Sequence, residues 1–242
     1  MEIEILADKL SSWIADKVKE AGCRGAVFGM SGGIDSSVVA VLSKHALGEN
    51  VLGVLIPCYS IPQDEEHALA VAEKFSIRTQ KVVLDTAFDA LTSSLPDNPV
   101  DEAAGRLATA NLKARLRMVT WYHFANQLRY LVVGSGNRSE LAVGYSTKYG
   151  DSGVDILPLG NLVKTQVRDL AEYLEVPREI IDKPPSAGLW EGQTDEDDLG
   201  FTYGQLDSFL LTGETDTAVK QRIQSMMVGS RHKTQPPPIP PF

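Results

Sequence analysis

Apolar positions along the chain alternate between two periods. Residues 3–21 carry Ile3, Leu6, Leu10, Trp13, Ile14 and Val18 at helical spacing, a stripe that stops at Gly22. The run at 25–30 is short, apolar and bounded by glycine, which predicts a buried strand. Val38, Val39, Leu42 and Leu47 restore the helical period over 36–47, with Ser36 and Ser37 where an N-cap belongs. The alternation then runs on through strand 51–56, helix 63–75, strand 80–84, helix 85–93, a long helix 101–128 and strand 130–135. Strands separated by helices pair in parallel. The expected fold is therefore α/β, a doubly wound parallel sheet with helices on both faces. Ligands of such sheets bind beyond the carboxyl ends of the strands.

After residue 144 the pattern changes. The stretch "GYSTKYGDSGVDILPLGNLVK" is rich in glycine and polar residues and too long for a plain connector, which predicts a functional loop. A helix is expected at 165–175, and the glycines and acids near 186–198 suggest a mobile lid. Helices near 203–211 and 214–228 lead to a proline-rich, extended tail, 234–242. Residues 1–242 read as a single domain.

A net charge of −9 argues against a broad nucleic-acid surface, which needs a basic face. An anionic ligand would have to be met by basic residues gathered locally. The N-terminus is acidic and amphipathic rather than a basic leader, and no apolar run reaches the length of a membrane span. Cys23 and Cys58 form no CxxC pair and read as reduced structural thiols, so the expected location is cytoplasmic.

The helix at 36–47 is preceded by chemistry. In "GMSGGIDSS", residues 29–37, a glycine turn joins a strand to a helix, which aims backbone N–H groups and a positive helix end at an anion. The turn has no lysine and lacks the GxGxxG spacing, so it matches neither common nucleotide loop. Instead it holds an acid. A carboxylate inside an anion site repels phosphate unless a divalent cation lies between them, so Asp35 implies Mg²⁺. The stretch resembles the SGGxDS signature of the ATP pyrophosphatase (PP-loop) superfamily, which splits ATP between its α- and β-phosphates. That resemblance implies a Rossmann-like fold of the adenine nucleotide alpha-hydrolase type.

Later stretches narrow the reading. "NLKARLRM" (111–118), "GSGNRSELAVGYSTKYGDSGVDILPLGNLVKTQVRDLA" (134–171), "KPPSAGLWEGQTDEDDLG" (183–200) and "HK" (232–233) together are similar to NAD synthetase, in that family's order and over nearly the whole chain. The resemblance implies a homodimer that makes NAD from deamido-NAD, ATP and ammonia with Mg²⁺, with a separate glutaminase as a further partner to consider. It implies an ATP site at Gly29, Met30, Ser31, Gly32, Gly33, Ile34, Asp35, Ser36, Ser135, Lys164 and Ser186. Ser135 stands where many members have threonine and keeps the hydroxyl. Asp35 and Glu140 are the implied Mg²⁺ ligands, and Asp35 and Lys164 the catalytic pair. Arg115, Lys148, Asp155, His232 and Lys233 match deamido-NAD contacts.

Ordinary roles stand beside these. Glu140 reads equally as a helix-surface glutamate, and Lys148 as a surface ion-pair partner of Asp151. Arg115 and Arg117, two apart on a helix, face different sides. The rival enzyme is the synthetase domain of GMP synthetase, against which "TKYGDSGVD" speaks. A transfer-RNA thiolating relative fits poorly with the acidic charge and the lack of a cysteine pair. A catalytically dead ATP sensor would not need both Asp35 and Glu140.

Overall fold

A computed structural model describes residues 2–96, 98–188 and 192–242. Its centre is a four-stranded sheet in the order β3-β2-β1-β4, built from β1 (Ala26–Gly29), β2 (Val51–Leu55), β3 (Thr79–Lys81) and β4 (Leu131–Val133). Every pairing is parallel, with Ala26 opposite Val51 on one side and Leu131 on the other. The helices between strands are α2 (Ile34–Leu47), α3 (Pro62–Lys74), α4 (Asp85–Thr92) and the 27-residue α5 (Glu102–Leu128).

The period-two alternation of β1 explains the two layers, because successive side chains leave a strand on opposite faces. Ala26 and Phe28 join the core shared with α2, α3, α7 (Lys164–Tyr173) and the N-terminal helix α1 (Ile3–Glu20). Val27 joins the other core, with Leu84, Phe88 and Ala125 beside α4 and α5. Helices thus cover both faces, as the alternation predicted. α2 lies against both α1 and α7, and its Val38, Ala40, Val41 and Leu42 are completely buried.

Beyond β4 come α6 (Arg138–Val143), α8 (Arg178–Ile181), α9 (Asp195–Leu199), α10 (Tyr203–Thr212) and α11 (Thr217–Thr234). A third, smaller core of Val143, Leu199, Phe201, Tyr203, Leu206 and Ile223 joins these C-terminal helices. The loop after α6 returns alongside β4, where Gly134 donates to the Ile156 carbonyl at 2.9 Å.

The structure corrects several boundaries. Helix α2 starts at Ile34 with Gly33 as its N-cap, so Ser36 and Ser37 lie inside the first turn. Their hydroxyls donate back to the Gly33 carbonyl instead of capping. The short helices α6, α8 and α9 carry too few apolar residues to show a period. α9 overlaps the C-terminal end of the expected lid, of which residues 189–191 lie outside the described residues. The last helix runs to Thr234, so His232 and Lys233 stand on α11 ahead of the proline tail. Cys23 and Cys58 are free thiols, and burial raises the pKa of Cys58. Among the described residues no helix is long and apolar enough to cross a membrane.

Candidate active site

The glycine turn lies at the carboxyl end of β1. Gly32 has φ +74°, and a Cβ there would sit 2.1 Å from the Asp64 carbonyl oxygen at the start of α3. Any side chain would strain the backbone and displace α3. The hydroxyls of Ser31 and Ser36 share a hydrogen bond at 2.9 Å, and the Gly33 amide donates to Ser31 Oγ at 3.3 Å. Asp35 stands in the first turn of α2, at its positive end.

Three residues far apart in sequence meet beside this turn. Lys164 Nζ lies 2.6 Å from Asp35 Oδ2 and 3.0 Å from Glu140 Oε1. Asn137 fixes both acids. Its Nδ2 donates to Asp35 Oδ1 at 2.8 Å, while its side-chain oxygen accepts from the Glu140 amide in a reciprocal cap of α6. That cap explains why Glu140 does not lie on a helix surface: its side chain is turned back toward the helix start. Lys164 Nζ also lies 4.9 Å from the centre of the Tyr203 ring. The Tyr203 hydroxyl donates to Asp195 Oδ2 at 2.8 Å, and Asp195 Oδ1 is buried without a hydrogen-bond partner.

Burial and charge act against each other here. Desolvation raises the Glu140 pKa despite the attraction of Lys164. Burial works to lower the Lys164 pKa, but Asp35 and Glu140 outweigh it and raise it. Burial raises Asp195 as well, opposed by Lys164. One ammonium faces two acids, with a third close by, and burial opposes the charging of Glu140 and Asp195, so a further cation beside them would be favoured.

Lys164 is the first residue of α7, and its backbone is held from another helix. Its amide donates to Ser139 Oγ at 3.0 Å, the Ser139 hydroxyl donates to Asp207, and the Thr165 amide donates to Asp207 Oδ2 at 2.8 Å. Asp207, on α10, is 3% exposed and supplies the cap that Val163 lacks. Asn137, Ser139, Asp195, Tyr203 and Asp207 all escaped sequence reasoning. Only Asn137 left a signal, the Asn-x-x-Glu spacing of a capping box.

The remaining residues are more dispersed. Gly29 ends β1, Met30 follows it and Ile34 starts α2, while Ser135 follows β4 on the same sheet edge. Ser186 is exposed, its Oγ accepting from the Gly188 amide at 3.1 Å. Arg115 Nε and Nη2 both donate to the Lys148 carbonyl at 3.3 Å, which joins α5 to the long loop. The Lys148 ammonium lies over the Tyr149 ring, and Asp151 accepts from the Thr147 amide. Arg117 points the other way, to the Ile56 carbonyl and Ser60 Oγ. Both Asp155 oxygens are engaged, by Tyr122 and the Val132 amide. Lys233 Nζ donates to the Gly144 and Ser146 carbonyls at 2.7 and 2.8 Å, whereas His232 is exposed on α11. A cavity of about 430 Å³ bounded by Arg138, Ser152 and Lys233 opens beside that helix end.

The sequence matches the NAD synthase family over residues 6–237. The chain belongs to this family. It is 49% identical to an NH(3)-dependent NAD(+) synthetase of Carboxydothermus hydrogenoformans, over 96% of either chain. It is 46% identical to that of Syntrophomonas wolfei over 99% of this chain and 96% of the relative. Among solved structures it superposes on an NMN synthetase from Francisella tularensis with a TM-score of 0.93, at 37% identity over 100% of both chains. An NH3-dependent NAD synthetase from Campylobacter jejuni gives 0.81, at 30% identity over 99% of both. The family's reaction, ATP-dependent ligation of ammonia to deamido-NAD, is the activity of this chain.

Asp207 offers a direct check of the geometry around Lys164. Asp207→Ala takes the acceptor from the part-buried Thr165 amide and from the buried Ser139 hydroxyl proton, at about 1–3 kcal/mol for the latter. The expected result is a clear fall in urea midpoint together with slowed pyrophosphate release. Asp207→Asn, which keeps an acceptor for Thr165, should retain most of the stability.

Proposed function

We propose that ATP lies along the glycine turn and that the Asp35–Lys164–Glu140 cluster carries the adenylation step. The observation that supports this most is the meeting of two acids from separate strand ends on one lysine beside the turn. A carboxylate is a poor acyl donor, so its oxygen must first gain a good leaving group. The nicotinate carboxylate attacks the α-phosphorus, the bond to the β-phosphate breaks, and pyrophosphate departs. Ammonia then attacks the acyl carbon, AMP leaves, and the surplus proton passes to solvent. Lys164 provides fixed positive charge where phosphate charge develops, and the positive N-terminal end of α2 favours the phosphates.

The donor set also fits Mg²⁺. Among the described residues no three His, Cys, Asp or Glu side chains gather into a cage for a metal ion. Mg²⁺ needs none, because it takes one or two carboxylates together with substrate phosphates and water. Asp35 and Glu140 would hold it, and when bound it would screen the β- and γ-phosphates as they leave.

Deamido-NAD is assigned to the region around Arg115, Lys148, Asp155 and Lys233, with His232 at its edge. A homodimer through α5 is the assembly we propose. In this 27-residue helix only Ala110, Lys113, Ala114 and Ala125 are buried, while Leu107 and Val119 are about 60% exposed. Free thiols and ATP chemistry suit a cytoplasmic site, and ammonia is used directly or from a separate glutaminase. The superposition on NMN synthetase supports a second substrate beside the first: the same site also amidates the mononucleotide. The higher identity to NAD synthetases favours the dinucleotide.

Asp35→Asn keeps the shape but removes the charge, so adenylation should slow by roughly 10²–10³-fold with the fold intact. Pyrophosphate release measured with deamido-NAD and with the mononucleotide tests both readings at once, and normal turnover of the variant at saturating Mg²⁺ would count against the cluster. The helical placement of Lys233 sharpens a further expectation. Deleting 235–242 should leave the deamido-NAD KM unchanged, whereas Lys233→Ala should raise it while the ATP KM holds. Leu107→Glu should shift sedimentation from dimer to monomer.

A further inference from the structure

The carboxylate of Asp64 joins two parts of the chain that no helix or strand connects. Asp64 lies in the first turn of α3, where its backbone carbonyl fills the space beside Gly32 of the glycine turn. Its Oδ1 accepts from Lys183 Nζ, and the two side chains are only 19% and 28% exposed. Gly188, at φ +60°, also bends toward this acid, since a Cβ there would lie 3.5 Å from Asp64 Oδ2. Between Lys183 and Gly188 the backbone forms neither helix nor strand, and its ends lie at Asp64, one through the Lys183 hydrogen bond and the other through the nearness of Gly188. Its middle is tied to the acidic cluster, because the Asp195 amide donates to the Pro185 carbonyl at 3.0 Å. The segment therefore runs between the glycine turn and the residues around Lys164, and it carries Ser186.

We propose that Asp64 and Lys183 are a positioning pair for ATP, docking segment 183–188 on the glycine turn so that Ser186 is in place when the nucleotide arrives. The inference rests on the reading of the turn and Ser186 as the ATP site. An exposed ion pair contributes little, but this one is mostly buried and anchors backbone that has no ladder of its own. Ordering such a segment costs about 1–2 kcal/mol per residue, so an unanchored segment charges that cost to ligand binding. Asp64 acts through Lys183 and Gly188 and has no reacting atom of its own to touch. Lys81 on β3 is engaged by the neighbouring Glu65.

The test is a set of steady-state measurements on Asp64→Asn, Lys183→Met, Lys183→Arg, Ser186→Ala and the double variants. Asp64→Asn and Lys183→Met should each raise the ATP KM about tenfold, leave the deamido-NAD KM within twofold, and leave the melting temperature almost unchanged. Lys183→Arg should restore most of the loss. Asp64→Asn with Lys183→Met should be no worse than either alone, and Ser186→Ala should add little in the Asp64→Asn background. Additive losses, or a full Ser186→Ala effect without the pair, would overturn the positioning role. An ATP KM unmoved by Asp64→Asn, while Ser186→Ala alone still raises it, would do the same and leave the ATP site standing. No effect of Ser186→Ala in the otherwise native chain would instead remove Ser186 from the ATP site, and the pair's role with it.

Discussion

The contact between Lys164 and the two carboxylates of Asp35 and Glu140 is the constraint around which the rest is arranged. Such a group is a poor source of stability, because desolvating three charges offsets most of their attraction. It persists because each charge is locked by another part of the fold. Asp35 is held by the first turn of α2 and by Asn137, Glu140 by the cap of α6, and Lys164 by the start of α7. Removing any one would leave buried charge unpaired, so the sheet, the caps and the chemistry depend on each other.

The parallel sheet explains why these groups converge. β1 and β4 are neighbours, so the glycine turn after one and the α6 cap after the other lie side by side at the same carboxyl edge. Lys164 arrives from the far end of the long loop, which returns along β4 through Asp155 and Ile156. Asp155, whose oxygens are taken by Tyr122 and the Val132 amide, contributes to this return path.

The C-terminal helices complete the site without adding to the sheet. Their small core places Tyr203 against Lys164 and Asp207 beneath the first turn of α7. Asp195 enters the same space from α9 and keeps one oxygen unpaired. The polar groups that orient the lysine thus come from the part of the chain with the weakest hydrophobic pattern. Lys233 ties the end of α11 to the loop at Gly144 and Ser146.

By itself the sequence determined the alternation of strands and helices, the glycine turn with its embedded acid, and the family. Those features are local: a period of two or 3.6, a strand–turn–helix junction, and ordered motifs along one chain. Tertiary structure decided what local pattern does not encode. A capping Asn137 could be foreseen from its spacing to Glu140, but its second hydrogen bond reaches Asp35 across 102 residues. Asp207 looks like any helical aspartate until α10 packs on α7 and buries it. The continuation of α11 to Thr234 was hidden because Arg231, His232 and Lys233 carry no apolar period, and a charged helix end has the composition of a tail. Hydrophobic periodicity reports burial along one element, whereas a buried polar partner is chosen by whichever element the fold brings across from it.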